Sequence, residues 1–131
     1  MFNKASATLP TSPVDYPSGV CVKVDGNYYY VNGKYLHPII GMRIRESWSF
    51  PFVVTTTQKA LSKYTTAGRL GFRDGSLVRD VSTNTIYFIS KRLRRAVCNP
   101  DVLTSLGLTF KDAVWVSAEE LTLHQEGEVL K

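Results

Sequence analysis

One stretch constrains this chain more than any other. Through residues 20–40, VCVKV (20–24), YYYV (28–31) and KYLHPII (34–40) mix apolar and polar residues around Asp25-Gly26-Asn27 and Asn32-Gly33. A period of two sends alternate side chains to opposite faces of a strand. D-G and N-G dipeptides reach the positive φ values that tight hairpin turns demand. The β-branched and aromatic residues fit a pleated surface. The pattern predicts three strands joined by two tight turns.

The order recurs downstream. Asp74-Gly75 leads into SLVRDV (76–81), Ser82-Thr83-Asn84, TIYFIS (85–90) and KRLRRAVC (91–98). An offset of 58 pairs Tyr29 with Tyr87, Val31 with Ile89, Lys34 with Arg92 and Ile39 with Val97. Upstream the offset is 56, pairing Gly19 with Gly75, Val22 with Val78 and Lys23 with Arg79. The difference falls in a turn, where insertions are tolerated. This is the signature of an internal duplication. The sequence therefore predicts a mainly β fold with a minor α component: two diverged β-hairpin/short-helix modules packed together. The divisions are an extended N-terminal arm (1–18), a first module (19–73) and a second (74–131). At 131 residues, neither module alone is large enough to bury a comfortable core.

The arm contains Pro10, Pro13 and Pro17, which favour an extended chain, and it is expected to lie on a partner or on the domain itself. In the second module, Asn99-Pro100-Asp101 should cap a short helix through VLTSLGL, ended by Gly107. AVWV (113–116) then returns as a strand, and Ser117 with Glu120 forms a capping box. In the first module, FVV (52–54) reads as a strand and TTQKALSKY (56–64) as a helix, with no counterpart of the Leu-Gly helix. Trp48, Phe50, Phe52, Phe72, Phe110 and Trp115 are expected in the core or between modules. Cys21 and Cys98 match no zinc spacing and are expected to be buried thiols.

Charge is unevenly spread. Residues 1–100 hold 14 basic and 5 acidic side chains, whereas residues 101–131 hold 2 and 6. Such asymmetry can draw a polyanion to the basic part, or the acidic tail of one copy to the basic part of another. The densest run is Lys91, Arg92, Arg94 and Arg95. Read as one strand, it places Arg92 and Arg94 on one face and Lys91, Leu93 and Arg95 on the other. With Lys34, Arg43, Arg45 and Arg79 these are the candidate partner-binding residues. Tyr28, Tyr29, Tyr30 and Tyr35 are the candidate aromatic contact surface. The plainer reading is that the cations guard a sheet edge from unwanted pairing.

Catalytic chemistry has little to work with. His37 and His124 fall in different modules, and the chain has no Gly-rich phosphate loop, H-E-x-x-H or G-x-S-x-G. Glu119 and Glu120 are adjacent and fit capping better than paired acid-base work. The expectation is a non-enzymatic protein with no cofactor and no metal. No apolar run approaches the roughly 18 residues of a membrane span, and residues 1–13 lack the order of a secretory signal, so a soluble protein is expected.

Residues 74–130 also carry a resemblance. DGSLVR (74–79), IYFIS (86–90), KRLRRAV (91–97), VLTSLGL (102–108), VWVSAEEL (114–121) and EGEVL (126–130) follow the order of a repeat of phage virion proteins and of bacterial cell-wall-associated proteins. The chain resembles that tandem β-hairpin repeat over its second module and follows it loosely in the first. The resemblance implies a non-catalytic role in assembly or surface attachment. On the phage side this means a virion protein made in the host cytoplasm, in capsid decoration or cement, neck or tail. Its partners would be other virion proteins, including copies of itself. Nucleic-acid binding through residues 91–95 and attachment to cell wall or glycan are the alternatives.

Overall fold

The computed structural model describes residues 8–131. The fold is mainly β. The chain forms two compact units, one running to Ile40 and resuming over Phe50–Leu70, the other made of Gly41–Ser49 and Gly71–Lys131.

The first unit is a five-stranded sheet. Strands β1 (Cys21–Val24), β2 (Asn27–Asn32) and β3 (Tyr35–Ile39) form an antiparallel meander, with β4 (Val53–Thr55) parallel to β1 and β5 (Thr65–Thr66) parallel to β3. The order across the sheet is β4-β1-β2-β3-β5. Asp25 and Gly26 make the first turn at φ 50° and 83°, left-handed values that Gly and Asp tolerate best. Alternation then decides which side chains go inside. Val22, Val24, Val31, Leu36 and Leu61 form the core, with Tyr16, Tyr29 and Tyr64 packed on it. Each such aliphatic side chain contributes about 1.5–3 kcal/mol on burial.

The described part of the arm lies along its own unit. Thr57 Oγ1 donates to the Pro10 carbonyl, and Val14 N–H to the Ala60 carbonyl. Tyr16 N–H donates to the Tyr64 hydroxyl, and the Tyr16 hydroxyl donates to Thr56 Oγ1. Gly33 N–H donates to Ser18 Oγ. Backbone groups that an extended segment cannot pair with itself are thus paired here. Residues 1–7 of the arm lie outside the described residues.

The second unit holds a four-stranded sheet in the order β8-β7-β6-β9. Its strands are β6 (Leu77–Asp80), β7 (Ile86–Ser90), β8 (Leu93–Ala96) and β9 (Val114–Val116). Strands β6, β7 and β8 are antiparallel, and β9 runs parallel to β6. Helices α1 (Met42–Trp48), α2 (Pro100–Ser105) and α3 (Ala118–Leu121) belong to this unit. Helix α1 is tied to it by Trp48 Nε1–H on the Gly71 carbonyl at 2.9 Å and by Arg73 N–H on Ser47 Oγ at 3.2 Å. The core contains Leu77, Ile86, Val97 and Leu103. The outer side of β8 is covered by bridges from Arg94 to Glu126 and from Val97 to Leu130.

The two sheets repeat one pairing pattern. Val22 faces Tyr29 as Val78 faces Tyr87. Gly19 N–H donates to the Val31 carbonyl as Gly75 N–H does to Ile89, at φ 94° and 95°. A further offset, 60, relates the segments downstream of the hairpins. Val54 lies beside Val22 as Val114 lies beside Val78. Ala67 N–H bonds the Leu36 carbonyl as Gly127 N–H bonds that of Arg94. Thr57 accepts from Ala60 N–H as Ser117 accepts from Glu120 N–H. The last pair in the series is Tyr64 receiving Tyr16 N–H and His124 receiving Phe72 N–H.

Helix α2 has its expected Asn99 cap, accepting from Asp101 N–H, and α3 its expected Ser117–Glu120 capping box. Other expectations change. Residues 58–63 are turns, not a helix. Their bonds run from i to i−3, as in Leu61 N–H to Gln58 and Tyr64 N–H to Leu61, which winds the chain tightly enough to bring Tyr64 back to Tyr16. The first hairpin is followed by a helix after all, α1, which has no side-chain cap at Gly41 and ends at Ser49 in the left-handed region. Lys91 and Arg92 are not on a strand, because β7 and β8 close at Ser90–Leu93 and leave them as the two turn residues. Phe52, Trp115 and Phe110 are exposed, at 66%, 44% and 36%, and each sits at or beside a sheet-edge strand. Cys21 is buried, but Cys98 is exposed where the chain leaves the sheet for α2, and the two are not bonded.

Candidate functional site

The basic residues around β8 divide into two groups. Arg94 Nη1 donates to the carbonyls of Leu121 and His124, and its guanidinium lies 5.6 Å from the Tyr87 ring centroid. A cation there interacts favourably with carbonyls at the C-terminal end of α3, of which that of Leu121 also accepts from His124 N–H. Its Nη2 is 3.8 Å from Glu126. Arg95 donates from Nε to the Glu128 carbonyl and from Nη2 to that of Val129. Both arginines therefore hold the acidic C-terminal segment against β8. The asymmetry of charge along the sequence is in part folded back on itself.

Lys91 and Arg92 are different. They are the tip of the β7/β8 hairpin, at φ 52° and 66°, where Asn-Gly is the usual choice. The backbone of Arg92 is braced on both sides: its N–H donates to Asp74 Oδ1 at 3.0 Å, and its carbonyl accepts from His124 Nδ1 at 2.7 Å. Both residues are exposed, and among the described residues neither side chain has a hydrogen-bonding or ionic partner.

His124 is the keystone of that brace. It is 2% exposed. Since Nε2 accepts from Phe72 N–H at 2.9 Å, the proton sits on Nδ1 and the ring is neutral. Burial pushes its pKa below the ordinary 6.5, partly opposed by the Arg92 carbonyl and by Asp74. Asp80 is also held below its usual value, chiefly by the Ser82 hydroxyl and then by the Ser82 N–H.

The remaining candidates scatter. Lys34 lies in the β2/β3 turn of the first unit, and Arg45 in the last turn of α1. Arg79 on β6 lies over Trp115, 4.9 Å from the ring centroid. Arg43 lines a cleft of about 180 Å³ with Glu46, Ser47, Phe72, Leu77 and Val114, smaller than the roughly 300 Å³ at which small-molecule sites begin. The four tyrosines do not form one surface. Tyr29 packs on the core, while Tyr28 takes Lys23 over its ring at 5.4 Å. Tyr30 lies 6.0 Å from Phe50 and 6.3 Å from His37, and Tyr35 is 51% exposed.

His37 is engaged at both nitrogens, with the Gly68 carbonyl and Asn32 Nδ2. Among the described residues no three His, Cys, Asp or Glu side chains gather as metal ligands, and no helix is long and apolar enough to cross a membrane.

Sequence reasoning missed the open edge of the second sheet. Strand β9 ends the sheet, and Val114 and Trp115 on it are each 44% exposed. Val81, whose N–H bonds the Val116 carbonyl, is 57% exposed. The signal was present in AVWV, an apolar run with no polar alternation. Compared with protein-family models, curated proteins and solved structures, the chain matches none.

Proposed function

We propose that this chain is a non-enzymatic structural or accessory protein of a phage virion, in capsid decoration or cement or in the neck or tail, acting through contacts with other protein subunits. The observation that carries this reading is the β9 edge. Soluble monomers ordinarily blunt sheet edges with charge, proline or a covering loop. Here the edge strand carries exposed Val114 and Trp115, with Val81 exposed near its end, apolar side chains of the kind that interaction surfaces present. The opposite edge of the same sheet is bridged by the C-terminal segment, whereas among the described residues no further strand pairs with β9.

Supporting this, the groups best suited to chemistry already have structural work. His124 and His37 are bonded at both ring nitrogens, and Glu120 closes a capping box. The resemblance of residues 74–130 to a virion repeat points the same way. Mass spectrometry of purified particles from the genome that encodes the chain tests the reading. The protein is expected in mature particles, and Trp115→Glu is expected to lower its incorporation while keeping a native circular-dichroism spectrum. Absence of the wild-type chain from particles would sink the proposal.

A further inference from the structure

We infer that the β7/β8 hairpin tip, Lys91 with Arg92, is a binding site for the phosphate backbone of nucleic acid, engaged without reading base sequence. This goes beyond the virion reading and does not depend on it. The duplication supplies an internal comparison. At an offset of 58, Lys91 stands where the first unit has Gly33, and Arg92 stands where it has Lys34. Gly33 takes φ 61° freely, whereas Lys91 takes 52° and Arg92 takes 66° at a steric cost. The second tip thus carries one more cation than the first, in a conformation that disfavours it.

Strained backbone of this kind persists where its surroundings fix it, and it concentrates at sites of function. The surroundings here are Asp74 on the Arg92 amide and His124 on the Arg92 carbonyl. Both brace the backbone and leave the side chains exposed.

Phosphate is favoured by the overall charge. The chain has a net charge of +5 and a pI near 9.3, the electrostatic footprint of nucleic-acid binders. Two exposed cationic side chains on a braced hairpin tip suit contacts to backbone oxygens, which position a protein without specifying sequence. Arg94 and Arg95 are committed to carbonyls of the C-terminal segment, so the site is the tip rather than the whole 91–95 run.

The test is fluorescence anisotropy of the full chain with a short duplex DNA across a salt series. The variant K91N/R92G carries the dipeptide that this turn prefers, so it is expected to fold, with circular dichroism as the check. Wild type is expected to bind at low salt with no sequence preference. The double variant is expected to bind at least about tenfold more weakly there, with a log–log salt slope shallower by about 1.8, from two lost phosphate contacts. Lys59→Gln, in the other unit, should leave that slope within about one unit of wild type. Lack of wild-type binding at low salt, or an unchanged slope in the double variant, overturns the proposal. So does competition by polyglutamate as strong as by DNA at equal charge, which would assign the tip to an acidic protein surface.

Discussion

Replacing His124 by Phe removes two hydrogen bonds and keeps a ring of similar size in place. The two losses differ. The Arg92 carbonyl lies in a part-buried bond on an exposed residue, so its loss costs less than that of a fully buried partner. The Phe72 N–H belongs to a residue only 4% exposed, and without Nε2 it is left buried and unpaired. An orphaned buried donor costs about 1–3 kcal/mol, so H124F should destabilise by that amount.

Urea unfolding followed by tryptophan fluorescence reads this as a lower midpoint at unchanged m. The pH dependence is a second readout. The folded-state pKa of His124 lies below the ordinary 6.5, so its contribution is fully present above that pH. As pH falls below 6.5 toward the depressed folded value, the unfolded state takes up the proton first and stability declines. H124F lacks the group, so that part of the pH profile should vanish. If H124F unfolds at the wild-type midpoint, or keeps the wild-type decline between neutral and mildly acidic pH, the bracing role assigned to His124 is wrong.

Other variants test neighbouring contacts. A Cβ at Gly71 would sit 2.6 Å from Cε1 and 2.7 Å from Nε2 of His124, whose ring is fixed at both nitrogens; Gly71→Ala should cost about 1–3 kcal/mol in urea. K91N/R92G relieves two left-handed residues against the entropy of one new glycine and should raise stability by about 1 kcal/mol; a lower melting temperature would contradict the strain. Arg94→Met removes the guanidinium from the Leu121 and His124 carbonyls, and hydrogen exchange should quicken at Gly127 and Leu130, whose amides pair with β8. Asp80→Asn should remove an acid-limb loss of stability, since a carboxyl held below 3.8 contributes above that pH and stops contributing as pH falls through its folded value.

The hairpins were legible because their signal is local. Alternation and turn dipeptides set β1, β2, β6 and β7, and the offset pairing of Val22 with Val78 is repeated in the ladders themselves. The α2 and α3 caps were legible for the same reason, each being decided within four residues. What escaped depends on distant partners. Helix α1 has no side-chain cap at its start, and its tie to the second unit runs through Gly71 and Arg73, 23 and 26 residues from the residues they hold. The basic run looked uniform because nothing in KRLRR distinguishes cations that meet a carbonyl some 30 residues later from cations that meet water. The left-handed turn at Lys91 was hidden because neither residue is one that usually occupies it.

The placement of α1 changes what the duplication means. A segment encoded between β3 and β4, inside the first copy, lies in the body of the second. The copies are therefore no longer separable by any single cut. A fragment spanning 71–131 would lack Ser47 and Trp48, and its Arg73 amide and Gly71 carbonyl would lose their partners. Such a fragment should recover its native fold only when a peptide covering 41–49 is supplied alongside it. The second sheet thus depends on a stretch of chain that the sequence writes into the first hairpin module.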